Sequence, residues 1–95
     1  MAAYIIAHID VHDPVLFEQY RVAVLPTLTQ FGGRYLVRGG AVTVLEGPLP
    51  DRRLVVIEFP DRAAAEGFYA SPGYQPLLAM RLAATTSTLV IADGV

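Results

Sequence analysis

The order of apolar and polar positions at the start of the chain predicts a strand followed by a helix. Residues 4–10 are apolar and rich in β-branched side chains, which is typical of a buried strand. Asp13 then occupies an N-cap position and Pro14 the first helical position. Gly32-Gly33 ends this helix, whose apolar face has helical spacing and consists of Phe17, Tyr20, Val24, Leu28 and Phe31.

Three more strands and a second helical region follow. Residues 34–38 and 41–46 are predicted to be two halves of one long second strand, interrupted at Gly39-Gly40, where glycine suits a bulge or bend. After a loop over residues 47–51, residues 54–59 form a third strand, antiparallel to the second because the connection is short enough for a hairpin. Asp61 caps an Ala-rich helix that reaches Ala70. Helix resumes over residues 74–84 after a break at residues 71–73, and residues 87–92 form a fourth strand.

This β-α-β-β-α-β order predicts one α+β domain over residues 1–95 with a ferredoxin-like fold. We expect a four-stranded antiparallel-type sheet that the helices cover on one face only. Because side chains alternate along a strand, the face against the helices should present Ile5, Ala7, Ile9, Val55, Ile57 and Phe59.

The high apolar content of the chain indicates that it has a partner. Of the 95 residues, 54% are apolar and 17% are charged, and a domain of this size buries only about 60–70% of its unfolded surface. The uncovered sheet face is apolar as well, so we expect two sheets to pack face to face in a homodimer.

No apolar run is long enough for a membrane span. A net charge of −2 without a basic stripe indicates no nucleic-acid partner, and the first residues lack a secretory signal, so we expect a cytoplasmic protein.

The absent residue types exclude several kinds of site. The chain has no Cys, which excludes a thiol nucleophile and a thiolate metal site, and no Lys, which excludes a Schiff base. Its two histidines, His8 and His12, lie four residues apart across the end of a strand rather than on one helix, which disfavours a zinc or haem site. We therefore expect neither a metal nor a cofactor.

His8 and Glu58 are the candidate catalytic pair. If the first and third strands are parallel neighbours, His8 lies beside Glu58 on the sheet face away from the helices. The carboxylate would then orient the imidazole as a general base. The alternative is a satisfied polar pair at a sheet end or in the dimer interface, since buried polar groups are normally paired.

Arginine and tyrosine supply the candidate substrate-binding residues, and the arginines considered are Arg34, Arg38, Arg53 and Arg81. Arg34 and Arg38 should share a strand face, and Arg81 follows Tyr74 by seven residues, which places both on one helical stripe. An arginine beside a tyrosine in a cleft can bind a carboxylate or enolate oxygen. We predict a pocket between the helices and the sheet. Its substrate-binding residues would be Tyr20, Arg38, Tyr69, Tyr74 and Arg81. The alternatives are salt bridges for the arginines and core packing for the tyrosines.

Four segments carry a resemblance to a known family. They are residues 31–40, 44–47, 53–60 and 69–74, which read FGGRYLVRGG, VLEG, RLVVIEFP and YASPGY. In this order and spacing, over nearly its whole length, the chain resembles the small bacterial family described as domain of unknown function 1330. The resemblance implies a dimeric α+β barrel, similar in fold to cofactor-independent oxygenases, muconolactone isomerases and chlorite-dismutase-like domains. It implies no established reaction, because this architecture hosts several.

Two functions are consistent with these features. The first is a cofactor-independent oxygenase- or isomerase-like enzyme acting on a small aromatic or acidic metabolite, with His8 and Glu58 transferring protons and arginine or tyrosine as the anchor. The second is a non-catalytic module that binds a small molecule or holds a dimer together. A haem-handling relative is a weaker third. Convergence of His8, Glu58 and Arg38 on one pocket would favour chemistry, whereas pairing across the dimer interface would favour a structural role.

Overall fold

The computed structural model describes residues 1–48 and 53–95. The strands form one sheet in the order β2-β3-β1-β4, with every neighbouring pair antiparallel. The predicted α+β, ferredoxin-like architecture is confirmed, with two helices between the third and fourth strands. Along the chain the elements are β1 (Ala3–Val11), α1 (Pro14–Gln30), β2 (Arg34–Arg38), β3 (Arg53–Phe59), α2 (Arg62–Ala70), α3 (Gln75–Ala84) and β4 (Thr85–Asp93).

Aspartate side chains begin two of the helices, as the sequence predicts. Asp13 accepts a hydrogen bond from the Leu16 amide at 3.1 Å, and Asp61 accepts one from the Ala64 amide at 2.8 Å. Each bond satisfies an amide that has no partner within its helix. Among the described residues, no helix is long and apolar enough to cross a membrane.

The sheet has one covered face and one open face. The six residues predicted to face the helices are all buried, at 9% exposure or less. The alternate residues of β1 and β3, such as Ile6 and Val56, are only partly buried because no helix covers them. Gly33 lets α1 join β2 close to the core, since a Cβ there would lie 2.8 Å from the Phe59 ring.

The expectation that β1 and β3 are parallel is wrong. α1 returns the chain so that β2 runs parallel to β1, and β3, the next strand along the chain, lies between them and is antiparallel to both. In the resulting register His8 lies opposite Leu54, and Glu58 lies opposite Tyr4. His8 and Glu58 are therefore four residues apart along the strands rather than side by side.

The predicted second half of β2, residues 41–46, is not a strand. Among the described residues, the last backbone hydrogen bond between the end of β2 and β3 runs from the Gly39 amide to the Leu54 carbonyl, at 2.9 Å. Because β3 begins at Arg53, no strand among the described residues lies opposite residues 41–46. Strand propensity without a hydrogen-bonding partner does not make a strand, and Val44 and Leu45 are exposed. The predicted loop over residues 47–51 lies partly outside the described residues.

A bulge in β2 changes the face that its last residue uses. Between Tyr35 and Val37 the pairing with β3 shifts by one residue. Arg34 therefore lies opposite Glu58 on the open face, whereas Arg38 lies on the helix side. The prediction that Arg34 and Arg38 share a face is wrong, because the extra residue reverses the alternation between them.

Candidate functional site

A cavity lies between the covered face of the sheet and the helices, where the sequence predicts a pocket. Its volume is about 40 Å³, enough for roughly three water molecules. The sheet contributes an apolar wall together with Tyr35, Arg38 and Arg53, and the helices contribute aromatic rings and further polar groups. The apolar lining consists of Ile5, Ala7, Ile9, Phe17, Val55, Ile57, Phe68 and Leu89.

Three polar side chains form a hydrogen-bonded row in this cavity. The hydroxyl oxygens of Tyr20, on α1, and Tyr74, at the start of α3, are 2.9 Å apart. Arg81 donates from Nε to the Tyr74 hydroxyl oxygen at 3.3 Å. Tyr74 and Arg81 can meet because seven residues make two helical turns. The structure thus places three of the predicted binding residues in contact with one another.

Packing fixes the position of the central member, Tyr74. Its side chain is 1% exposed, and its ring lies 4.5 Å from that of Phe68 and 5.6 Å from that of Tyr69, centre to centre. Ser71 closes the turn before α3 by donating to the Phe68 carbonyl at 2.8 Å. Tyr69, also a predicted binding residue, supports Tyr74 from outside the cavity lining and is 38% exposed.

Arg81 is a buried cation without a carboxylate partner among the described residues. It is 3% exposed, yet it belongs to none of the ion pairs, which join Arg21 to Glu18, Arg34 to Glu58, and Arg62 to both Glu66 and Asp93. Burial opposes its charge, but the Tyr74 hydroxyl and the neighbouring phenols outweigh burial and raise the pKa of Arg81. The cavity therefore contains a full positive charge.

Burial has the expected effect on the phenols next to this charge. It raises the pKa of Tyr20 well above its ordinary value, and the adjacent Tyr74 hydroxyl acts in the same direction. Burial also raises the pKa of Tyr35, which lines the cavity from β2. Both are neutral hydrogen-bonding groups at neutral pH rather than bases.

A wider depression adjoins the cavity, and three arginines line both; we call this depression the mouth. This open depression has a volume of about 410 Å³, and its lining includes Arg21, Arg38 and Arg53. Arg21 donates two hydrogen bonds to Glu18, at 2.9 and 2.6 Å. Those bonds lower the pKa of Glu18, and the charges of Arg38 and Arg53 act in the same direction. The described part of the mouth therefore has a surplus of positive charge.

His8 and Glu58 do not belong to this cavity. Both lie on the open face of the sheet, on the side away from the helices. Glu58 accepts a hydrogen bond from Arg34 at 2.7 Å and a longer one from Tyr4 at 3.5 Å. The predicted contact between His8 and Glu58 is absent because of the antiparallel register, so their proposed joint role as proton-transfer groups loses the geometry on which it was based.

Sequence reasoning also missed two lining residues, Tyr35 and Arg21. Tyr35 could have been found from its alternation, since it lies opposite Ile57 on the helix side. Arg38 does line the predicted pocket, but the prediction placed it on the same strand face as Arg34. The bulge that directs Arg38 to the helix side is not marked by glycine in the sequence.

Comparison with known proteins supplies the family. The model of the family described as Domain of unknown function (DUF1330) matches residues 2–95. The chain belongs to the DUF1330 family. The resemblance predicted from the four segments is thus confirmed. A comparison with curated proteins finds no match.

Solved structures similar to this DUF1330 protein share its fold. A protein of unknown function from Rhodopseudomonas palustris has a TM-score of 0.78 and 19% identity, over 99% of this chain and 82% of that chain. A dimeric ferredoxin-like protein of unknown function from Jannaschia sp. CCS1 gives 0.69 and 15%, over 99% and 100%. SnoaB, a cofactor-independent oxygenase from Streptomyces nogalater, gives 0.66 and 22%, over 98% and 92%. At these identities the likeness establishes the fold alone.

The lining of the DUF1330 cavity determines which chemistry it can support. Arg81, Tyr74 and Tyr20 supply a cation and hydroxyl groups, which suit an oxyanion such as a carboxylate or an enolate. The described lining of the inner cavity contains no carboxylate and no imidazole. Glu18, at the mouth, is held by Arg21. The arrangement is therefore better suited to holding an anion than to removing a proton.

Proposed function

We propose that the cavity binds a small organic anion, with Arg81 and Tyr74 holding its acidic group. The observation that carries this proposal is the burial of Arg81 without a described carboxylate partner. A buried charge is costly unless it is paired. An anionic ligand would supply the missing pair.

The size and the walls of the cavity favour a particular placement of this ligand. An inner volume of about 40 Å³ is smaller than the roughly 150 Å³ cavity that accommodates a benzene ring. The acidic group and its first carbon atom would lie inside, and an aromatic or aliphatic body would lie in the mouth, where Val11 and Pro14 are part of the lining. This supports an arylacetate-like acid as the model ligand.

Titration calorimetry with phenylacetate tests the proposal, with phenylacetamide as an uncharged probe of the same shape. We expect phenylacetate to bind and the amide to bind much more weakly. Arg81→Gln should weaken phenylacetate binding about 10- to 100-fold, the effect of losing a charged hydrogen bond. Arg62→Gln is the matched control, since Arg62 is paired on the surface with Glu66 and Asp93. Equal affinities for acid and amide, or no effect of Arg81→Gln in a folded variant, would contradict the proposal.

An oxygenase- or isomerase-like enzyme is the second candidate. The contact between Arg81 and Tyr74 favours it, because these groups would also stabilise an enolate. The likeness of fold to SnoaB is consistent with it. The two candidates differ in one measurement: an enzyme of this kind should accelerate deuterium exchange at the carbon next to the carboxylate of phenylacetate, and a binding module should not. A role for His8 and Glu58 remains a prediction, and it would concern the open face.

We also propose a homodimer in which two open sheet faces pack together. The dimeric state of the Jannaschia protein supports it, and so does the apolar character of the face. A cytoplasmic location and the absence of a nucleic-acid partner remain predictions.

A further inference from the structure

We propose that the ligand carries a second acidic group, which Arg38 and Arg53 bind at the mouth of the cavity. This inference rests on the proposed function, because it assumes that a first acidic group occupies the site at Arg81. It adds a substrate class, namely diacids or acids with a second anionic substituent such as phosphate.

The two arginines line both the inner cavity and the mouth. Neither forms an ion pair with a described carboxylate. Arg38 lies over the Tyr35 ring at 5.0 Å and Arg53 over the Phe17 ring at 5.2 Å, measured from the guanidinium carbon to the ring centre. A guanidinium over an aromatic face keeps the N–H groups at its edge available for a planar oxyanion.

Local backbone features hold both arginines in these positions. The bulge in β2 directs Arg38 to the helix side. Gly39, with φ of +73°, makes room for Arg53, because a Cβ at Gly39 would lie 3.0 Å from Arg53 Nε. Both side chains are exposed, and the backbone directs them toward the mouth.

Charge balance at the mouth also favours an anion. Arg21, Arg38 and Arg53 face a single described carboxylate, that of Glu18. Glu18 is already engaged by two hydrogen bonds from Arg21. A second acidic group on the ligand would neutralise part of this surplus, since Arg38 and Arg53 line the same cavity as the buried Arg81.

The test compares phenylacetate with the 1,2-, 1,3- and 1,4-phenylenediacetates, which place a second carboxylate at three distances. Calorimetry is run on the wild type and on Arg38→Gln, Arg53→Gln, Arg81→Gln and the control Arg62→Gln. We expect at least one diacid to bind the wild type about 10-fold or more tightly than phenylacetate, well above the factor of about 2 that two equivalent carboxylates give statistically. Arg38→Gln and Arg53→Gln should reduce this ratio to about 2, whereas Arg62→Gln should preserve it.

The outcomes separate this inference from the proposed function. If phenylacetate binds through Arg81 but all three diacids bind within about 2-fold of it, the second site is wrong and the first stands. If Arg81→Gln leaves every affinity unchanged while Arg38→Gln weakens the diacid, the anion site lies at the mouth alone and the proposed function is wrong. If none of the four probes binds, both are overturned.

Discussion

At the scale of single residues, the Tyr74 hydroxyl is the group that connects the helices through the cavity. It accepts a hydrogen bond from Arg81 on its own helix and shares one with Tyr20 on α1. Because its oxygen accepts from Arg81, its proton remains available for Tyr20 or for a bound anion. A ligand oxygen would therefore compete with Tyr20 for the Tyr74 proton, which couples occupancy of the cavity to the contact between α1 and α3.

The buried phenol of Tyr20 gives the protein a pH dependence at high pH. Its pKa in the folded protein is raised by burial, whereas in the unfolded chain it is about 10. Above pH ~10 the unfolded state loses this proton and the folded state keeps it. The contribution of Tyr20 to the free energy of unfolding is therefore fully present below pH ~10 and is lost as the pH rises further. Urea unfolding at a series of pH values should show a slope of up to about 1.4 kcal/mol per pH unit from this group.

Tyr20→Phe supplies the comparison for that slope. The variant lacks the ionisable hydroxyl, so its stability should fall less steeply above pH 10, although its stability at neutral pH is lower because the hydrogen bond to Tyr74 is lost. The pKa of Tyr35 is also raised by burial, so the stability of Tyr20→Phe should still fall somewhat with pH. Identical slopes in the two proteins would show that Tyr20 titrates normally in the folded state.

At the scale of elements, the start of α1 is fixed by one side chain. Asp13 accepts from the Leu16 amide and is followed by Pro14 at the first position of the helix. Since α1 presents both Phe17 and Tyr20 to the cavity, an error in its first turn would also shift the lining of the site.

Asp13→Ala should therefore destabilise the protein by about 1 kcal/mol, the usual effect of removing an N-cap. Chemical denaturation measures this difference. Asp13→Asn is the matched control, since asparagine caps about as well as aspartate. A loss in Asp13→Asn as large as that in Asp13→Ala would mean that charge, rather than the hydrogen bond to Leu16, holds this helix end.

Much of the fold can be predicted from the sequence, because it depends on local signals. Periodicity and caps define six of the seven elements to within a few residues, the exception being β2, and strand alternation identifies the covered face of the sheet. The pairing of Tyr74 with Arg81 also follows from helical spacing. Two features could not be obtained in this way. The contact between Tyr20 and Tyr74 joins residues that are far apart in sequence, and the bulge that directs Arg38 depends on pairing with a second strand.

Residues 41–46 also show that local signals do not determine pairing between strands. Their composition is that of a strand, but a strand also needs a neighbour with which to exchange hydrogen bonds. The error over His8 and Glu58 is of a different kind. It came from assigning the wrong relative direction to β1 and β3, although the order of elements is sufficient to determine that direction.

At the scale of the whole molecule, the open face of the sheet has no covering layer among the described residues. It combines partly buried residues such as Ile6 and Val56 with the exposed Val90. Apolar residues at the centre of an uncovered sheet face are typical of an interaction site. A second copy of the chain would present the same surface about a two-fold axis.

Light scattering at micromolar concentration should give about twice the chain mass of 10.3 kDa. Val56→Asp, at the centre of the open face, should shift the protein toward the monomer because it introduces a charge into the interface. Val22→Asp is the matched control, since Val22 is 67% exposed on the outer side of α1 and lies away from the sheet. A wild-type mass near that of one chain, or equal masses for the two variants, would contradict the dimer.

The bulge in β2 also affects how related chains are to be compared. One extra residue reverses the face to which every later side chain of the strand points. Two relatives that both have an arginine at the position aligned with Arg38 can therefore direct it to opposite sides of the sheet, one toward the helices and one toward the open face. The length of β2, rather than the identity of the aligned residue, is then the property by which members with a charged cavity mouth can be recognised.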